Sequence, residues 1–429
     1  MIDLASSIPG PHNIVMGRLS NGLRVWVYEN FETQTVSLQG YVPGGSINET
    51  PEQAGLANIT ATLLRRGTLK HDYDALNEMT EAVGASLGFD AGRHTLSFDA
   101  YSLAEDFGLI LDLLAESLIL PAFPEDELEK TRSRILTRLD ERRHSTRAMA
   151  SLTFRKHLYP PGHPYRSALL GEPETVRSVK RGDLLRFYEE KINPDGGVVV
   201  VVGAISAAEA LTRLEQALGD WRHPQARPDP AIPPRPLLSG KIQVDVAVRG
   251  KSQSDIIIGW PGIARSDPDY YPMLVCNSIL GRFGLGGRLG QRIREEMGLA
   301  YYAYSTFSVN RGAGAWQLGA GVNPKNVDRA IEAMLTEILR IRTDPVSDEE
   351  LSDVQRQLSG SLPLRLETNA GIGGYLLNMA WYDLGLDYLV RYADRIRAVG
   401  ADDVLRVARA YLSADEYVLV AAGPPAEES

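Results

Sequence analysis

The sequence predicts an α+β fold of two duplicated domains, each a mixed or antiparallel sheet covered by helices on one face. Three observations carry this. Strand-like and helix-like segments alternate along the chain. A short hairpin signal precedes an early strand. The second half of the chain repeats the first in the same order.

Leu23-Arg-Val-Trp-Val-Tyr28 alternates as a half-buried strand does, and the preceding Asn21-Gly22 is a hairpin turn signal. Val36-Ser-Leu-Gln-Gly-Tyr-Val supplies the next strand. The patterns over Leu76 to Ala85, Leu103 to Leu118 and Asp126 to Arg142 predict helices. Val198 to Val202 is the longest apolar run, β-branched and short, and reads as a buried strand.

The repeat is legible in three places. Asp183-Leu-Leu-Arg-Phe-Tyr matches Asp403-Val-Leu-Arg-Val-Ala, and each is followed by a polar turn and an apolar strand ending at Gly203 or Gly423. Phe123-Pro-Glu-Asp-Glu-Leu-Glu-Lys matches Pro345-Val-Ser-Asp-Glu-Glu-Leu-Ser, each with acids in the first helical turn, where they complement the helix dipole. The strands after Leu23 match Ile242-Gln-Val-Asp-Val-Ala-Val and Asp255-Ile-Ile-Ile-Gly-Trp. Common patterns explain one such pair but not three in order. The domains are therefore placed at 1–220 and 239–429, joined by 221–238, whose six prolines favour an extended, semi-rigid connector. Two such halves leave a cleft, a usual place for a ligand.

Composition narrows the function classes. The net charge of −10 does not attract polyanions, so nucleic acid is excluded as a partner. No run of about 18 apolar residues exists to span a membrane. The first ten residues lack a basic start and an apolar core, which leads to the expectation of a cytoplasmic protein. The single cysteine, Cys276, forms neither an internal disulfide nor a multi-cysteine metal site.

Several motifs fail on context. Gly84-Ala-Ser86-Leu-Gly88 matches a nucleophile elbow, but a helix precedes the serine and a strand follows, the reverse of what that motif needs. Gly281-Arg-Phe-Gly-Leu-Gly-Gly-Arg-Leu-Gly290 fits neither the dinucleotide fingerprint nor a P-loop. The seven histidines include no pair one helical turn apart, so no metal site is read in this chain.

Against that background the chain resembles the pitrilysin and mitochondrial processing peptidase superfamily of inverzincin zinc peptidases. The matching pieces, in order, are Leu19-Ser-Asn-Gly-Leu-Arg-Val, Gly44-Gly-Ser46, Gly55-Leu-Ala57, Pro121-Ala-Phe-Pro-Glu-Asp-Glu-Leu, His163-Pro-Tyr, Leu170-Gly171, Val199 to Gly203 and Arg294-Glu-Glu-Met-Gly-Leu-Ala-Tyr301. The resemblance implies that the two domains form half of a clamshell chamber. Active members carry H-x-x-E-H just after Gly-Leu-Ala, with two histidines on zinc and a glutamate as general base, and a second glutamate on a later helix. Here Asn58 and Thr62 stand for the histidines, Ala61 for the base, and the region of Thr137 and Arg138 for the distal glutamate. Neutral amide and hydroxyl groups are poor zinc ligands, alanine takes no proton, and Arg138 repels a cation.

The resemblance also implies roles for what remains. Arg294 and Tyr301 match an arginine and a tyrosine seven positions apart that face the zinc site from the opposite domain and act as catalytic donors. Gly281, Gly284, Gly286 and Gly287 match the position of a glycine-rich loop that handles substrate. The chain then reads as the non-metal subunit of a heterodimeric zinc endopeptidase. It needs no cofactor of its own; zinc is expected in a homologous partner bearing H-x-x-E-H, the substrate is an unfolded peptide, and a homodimer is compatible with the chain in isolation. The alternative is a non-catalytic scaffold or peptide-binding protein related to the bc1 core proteins.

Overall fold

The computed structural model describes residues 8–223, 228–281 and 286–425. The first half contains β1 (Ile14–Arg18), β2 (Arg24–Glu29), β3 (Thr35–Pro43), α1 (Leu56–Leu64), α2 (Tyr73–Ala82), β4 (Ser86–Ala91), β5 (Thr95–Leu103), α3 (Phe107–Ile119), α4 (Glu125–Arg143), α5 (Thr146–Leu158), α6 (Pro173–Ser178), α7 (Arg181–Lys191), β6 (Val198–Gly203) and α8 (Ala207–Leu218). The second contains β7 (Lys241–Ala247), β8 (Ser254–Pro261), α9 (Tyr270–Leu280), a π-helical segment (Gly290–Glu296), β9 (Ala300–Phe307), β10 (Ala315–Val322), α10 (Val327–Thr343), α11 (Asp348–Arg365), α12 (Asn369–Trp381), α13 (Tyr388–Arg397), α14 (Ala401–Tyr411) and β11 (Tyr417–Gly423).

Local chemistry accounts for the boundaries. The β1–β2 hairpin turns on Ser20, Asn21 and Gly22, closed by Leu19 N–H donating to the Leu23 carbonyl at 2.9 Å, with Gly22 in the left-handed region that such a turn requires. α2 starts at Tyr73, three residues before the apolar pattern begins, because the Asp72 carboxylate caps it by accepting from Ala75 N–H at 2.9 Å. Leu103 does not open a helix. It pairs with Thr35 as the last residue of β5, and α3 begins at Phe107.

Two mixed sheets result, and their matching order bears out the duplication. The first runs β1-β2-β6-β3-β5-β4 and the second β7-β11-β8-β10-β9. Removing β1 makes them the same. β2 pairs with β6 in parallel as β7 does with β11, and the remaining neighbours are antiparallel in both.

The compact units do not follow the sequence halves. One takes the chain up to Thr137, Ala168–Ala231 and Leu362–Arg391; the other takes Arg138–Ser167, Ile232–Ser361 and the chain from Tyr392. The boundaries 1–220, 221–238 and 239–429 therefore need correction at two helices. α12, from the second half, packs on β3 and β6 of the first sheet. There Gln39 Nε2 donates to the Ala370 carbonyl at 3.0 Å, and Tyr41 meets Trp381 edge-on at 5.8 Å. Gln39 and Tyr41 alternate with the buried Leu38 and Val42, so α12 covers the face opposite the one they occupy. α5, from the first half, does the same to β8 and β11. This explains why every valine of β6 and every residue of β8 is buried: each strand has cover on both faces.

The segment joining the halves is irregular in its described residues. Trp221 is buried, Asn48 Nδ2 donates to Asp229 at 2.8 Å, and Arg235 donates twice to the Pro261 carbonyl at 3.1 and 2.9 Å. No helix among the described residues is long and apolar enough to cross a membrane.

α5 reaches its sheet through one close approach. A Cβ on Gly259 would stand 2.5 Å from the Phe154 ring and 2.7 Å from the Trp316 carbonyl oxygen. Gly259→Ala is expected to lower the unfolding free energy by about 1–3 kcal/mol, read as a shift of the urea midpoint. Adding Phe154→Leu should recover part of the loss. A loss in that double variant as large as in Gly259→Ala alone would show that Phe154 is not the obstructing group.

Candidate functional site

The stretch corresponding to a zinc motif lies on α1. Asn58, Ala61 and Thr62 occupy consecutive turns of this short helix. Ala61 is buried, and the Thr62 hydroxyl donates to the Asn58 carbonyl at 2.8 Å, an ordinary back-bond within the helix. On α4 the Thr137 hydroxyl is likewise turned back to the Ser133 carbonyl at 3.0 Å, and Arg138 is exposed. These residues do not fit zinc: their donors are neutral or committed to the backbone, and one carries a positive charge. Among the described residues no three His, Cys, Asp or Glu side chains are grouped to hold a metal.

The helix keeps its place without such ligands. Glu49 Oε1 accepts from Ala57 N–H at 2.7 Å at the start of α1, where a carboxylate complements the dipole. Burial pushes the Glu49 carboxyl up to about 7, against the opposing pull of the Ala57 and Gly55 N–H groups and of Arg93. Sequence reading missed Glu49, because nothing in the sequence separates this half-buried acid from the exposed Glu52 nearby.

Arg294 and Tyr301 lie on either side of one turn in the second unit. Arg294 belongs to the π-helical segment, which closes with Gly298 N–H donating to the Arg294 carbonyl at 3.2 Å and Leu299 N–H to the Ile293 carbonyl at 2.9 Å. Short π-helical stretches are rare and are enriched at functional sites. The Arg294 side chain is 40% exposed, and among the described residues its only polar partner is Glu295 at 3.7 Å.

Tyr301 sits in a β-bulge. Gly321 pairs with Tyr302 while Val322 pairs with Ala300, so Tyr301 is the extra residue on β9. Bulges re-aim side chains in this way. Tyr301 is 66% exposed, and its hydroxyl has no hydrogen-bond partner among the described residues. Its neighbours behave differently. The Tyr302 hydroxyl donates to the buried Asp255, and Tyr302 and Tyr304 stack at 5.9 Å with Arg147 over both rings.

The glycines fall into separate roles. Gly281 ends α9, and its carbonyl accepts from Ser305 N–H of β9 at 3.1 Å. Gly287 lies against it: a Cβ on Gly287 would stand 2.6 Å from the Gly281 Cα, and both residues have positive φ. These two positions thus need glycine for backbone reasons alone. A Cβ on Gly286 would meet nothing within 4 Å; Gly284 lies outside the described residues. Gly286 and Gly287 border a cavity of about 440 Å³ with Arg288, Gln291, Glu349 and Asp353.

Sequence reading also missed Arg288, whose Nε and Nη2 donate to the two oxygens of Glu350, both at 2.8 Å. The acids at the start of α11 were legible as helix-dipole partners, but not this second use of one of them. Ser86 opens β4 directly after the α2 turn, in the reversed order that rules out a nucleophile elbow.

Comparison with known proteins agrees with this geometry. Residues 24–160 match the family described as Insulinase (Peptidase family M16), and residues 178–358 match Peptidase M16 inactive domain. An uncharacterized zinc protease of Streptomyces coelicolor is 26% identical over 94% of this chain and 88% of its own. The mitochondrial-processing peptidase subunit beta of Lentinula edodes is 24% identical over 94% and 89%. The crystal structure of a peptidase M16 inactive domain from Pseudomonas fluorescens superposes with a TM-score of 0.89 at 26% identity, covering 96% of this chain and 98% of that one.

The raised Glu49 carboxyl makes stability depend on pH. Its stabilisation relative to the unfolded value of 4.5 is complete below that pH and is lost as pH rises through about 7. Between those limits the chain should lose up to about 3 kcal/mol. Glu49→Gln keeps a carbonyl for Ala57 N–H and should flatten that part of the profile, leaving the variant the more stable at pH 8. Urea midpoints measured across the window decide this; parallel profiles would remove Glu49 as their origin.

Proposed function

Because the chain belongs to the M16 peptidase family, yet Asn58, Ala61, Thr62, Thr137 and Arg138 on α1 and α4 do not fit its zinc, we propose that it is the non-metal subunit of a heterodimeric zinc endopeptidase. A homologous partner bearing H-x-x-E-H supplies the zinc and the general base. This chain binds unfolded peptide and contributes Arg294 and Tyr301. The observation that carries the reading is the asymmetry between its two candidate sites. On α1 no position of the motif carries a zinc ligand or a base, while around β9 a bulge puts into solvent a tyrosine whose hydroxyl has no partner among the described residues, one turn after a half-exposed arginine. A residue kept for packing would be buried.

The chemistry of the two side chains suits that role. Attack of water on a peptide carbonyl builds negative charge on its oxygen. The Tyr301 hydroxyl donates a hydrogen bond to that oxygen, and the Arg294 guanidinium holds the next carbonyl of the substrate backbone. Neither group generates the nucleophile, so the isolated chain is inactive. The relative named as a subunit of a peptidase supports a partnered site. The match to an inactive domain also fits a scaffold with no part in chemistry.

The test is to recover the chain with its partners from the cells that make it and assay the complex on a mixed peptide library, with and without a zinc chelator. Chelator-sensitive cleavage by a complex containing an H-x-x-E-H chain is expected. In that complex Tyr301→Phe and Arg294→Ala should each lower turnover by roughly 10²-fold, with assembly unchanged by gel filtration. Full turnover in both variants would end the composite-site reading, and a complex without a zinc-bearing chain or cleavage would leave the scaffold.

A further inference from the structure

The segment that carries Arg294 is held at its start by two devices, and neither involves a residue placed in the chemistry above. The first is the neck formed by Gly281 and Gly287. With Gly281 tied to Ser305 and Gly287 packed on Gly281, Gly287 is held at a fixed point beside β9. Gln291 N–H then donates to the Gly287 carbonyl at 3.0 Å, which continues the neck directly into the helical turn.

The second device is Arg288. It stands two residues before the π-helical segment, and its fork meets both oxygens of Glu350 on α11. A planar, two-pronged bond of this kind is satisfied in one orientation, so it fixes rotation as well as position. The pair is sheltered, with side chains 14% and 29% exposed. Arg288 Nη1 and Glu337 Oε2 on α10 are both shut from solvent and have no hydrogen-bond partner among the described residues. Both residues line one cavity of about 340 Å³ together with Arg292 and Arg340. Loss of Glu350 would leave this sheltered guanidinium without either of its two charge-assisted hydrogen bonds.

We propose that Arg288 and Glu350 are a positioning pair for Arg294: together with the Gly281–Gly287 neck they set the start and the rotation of the π-helical segment, and through it the place of the arginine. The proposal rests on the composite-site reading for its effect on turnover, and on the structure of this chain alone for its effect on the segment. It gives Gly281 and Gly287 a task in closure, distinct from contact with substrate.

The two parts are tested separately. In the isolated chain, hydrogen–deuterium exchange is followed by mass spectrometry for wild type, Glu350→Gln, and the charge-swapped double variant Arg288→Glu with Glu350→Arg. In Glu350→Gln, exchange over residues 288–303 should rise roughly tenfold or more while the rest of the chain keeps its rates, and the swapped pair should restore part of the protection. Arg288→Lys, which keeps the charge without the fork, should show the same local change in smaller measure. Unaltered exchange in that segment, or acceleration spread over the whole chain, overturns the proposal. In the complex, Glu350→Gln should lower kcat with KM held, and in an Arg294→Ala background it should cost nothing further. Additive losses would show that the pair does not act through Arg294. If Arg294→Ala alone leaves turnover intact, it is the composite site that has failed, and the exchange result alone decides whether the pair holds the segment.

Discussion

A buried carboxylate, Asp255 on β8, is the contact on which the second unit turns. It is 2% exposed and accepts from the hydroxyls of Thr146 and Tyr302 and, at 3.3 Å, from Gln253 Nε2. Burial raises its carboxyl, and the bonds from Thr146 and Gln253 and the charge of Arg147 oppose that rise. Thr146 and Arg147 open α5, the helix that the first half of the chain lends to this sheet. Tyr302 belongs to β9, next to the bulge. One group therefore joins a borrowed helix, a central strand and the strand bearing Tyr301. An unpaired buried carboxylate costs several kcal/mol, so the three elements have reason to stay in register.

The borrowed helices are also where the sequence was least informative. The five valines of β6 announce a strand covered on both sides, and they are such a strand. Periodicity reports that a face is buried, but not which helix buries it. The close approach of Phe154 to Gly259 relates residues a hundred positions apart, and no local pattern encodes it. The duplicated strand order, by contrast, was legible, because repeated segments in the same order leave the same trace twice. Leu103 misleads for a simpler reason: at the end of β5 the apolar Tyr101 and Leu103 are exposed while the polar Ser102 is buried, so residue type no longer follows burial.

At the candidate site the balance is reversed. Arg294, Tyr301 and the degenerate α1 positions are all named from the sequence through the family resemblance. What the sequence withheld was their setting. A bulge appears only when β9 is laid against β10, and a fork between Arg288 and Glu350 only when α11 is in place. α1 is held in place by Glu49 and by its buried apolar face. The packing of this helix therefore needs no metal ligand on it.

The one topological difference between the two sheets bears on self-association. In the first sheet β1 covers the outer side of β2, whose Val25, Trp26 and Val27 are buried. Among the described residues the second sheet has no such strand, and β7 lies at its edge. There the outward side chains include Lys241, Gln243 and Asp245, alternating with half-buried Ile242, Val244 and Val246. Charged side chains along an open strand oppose in-register parallel stacking of identical strands, because like charges then lie opposite each other. The duplicated domains thus guard equivalent edges by different means, one by an added strand and the other by charge. A substitution that removed the charge from β7 would alter the solubility of the chain before it altered its fold.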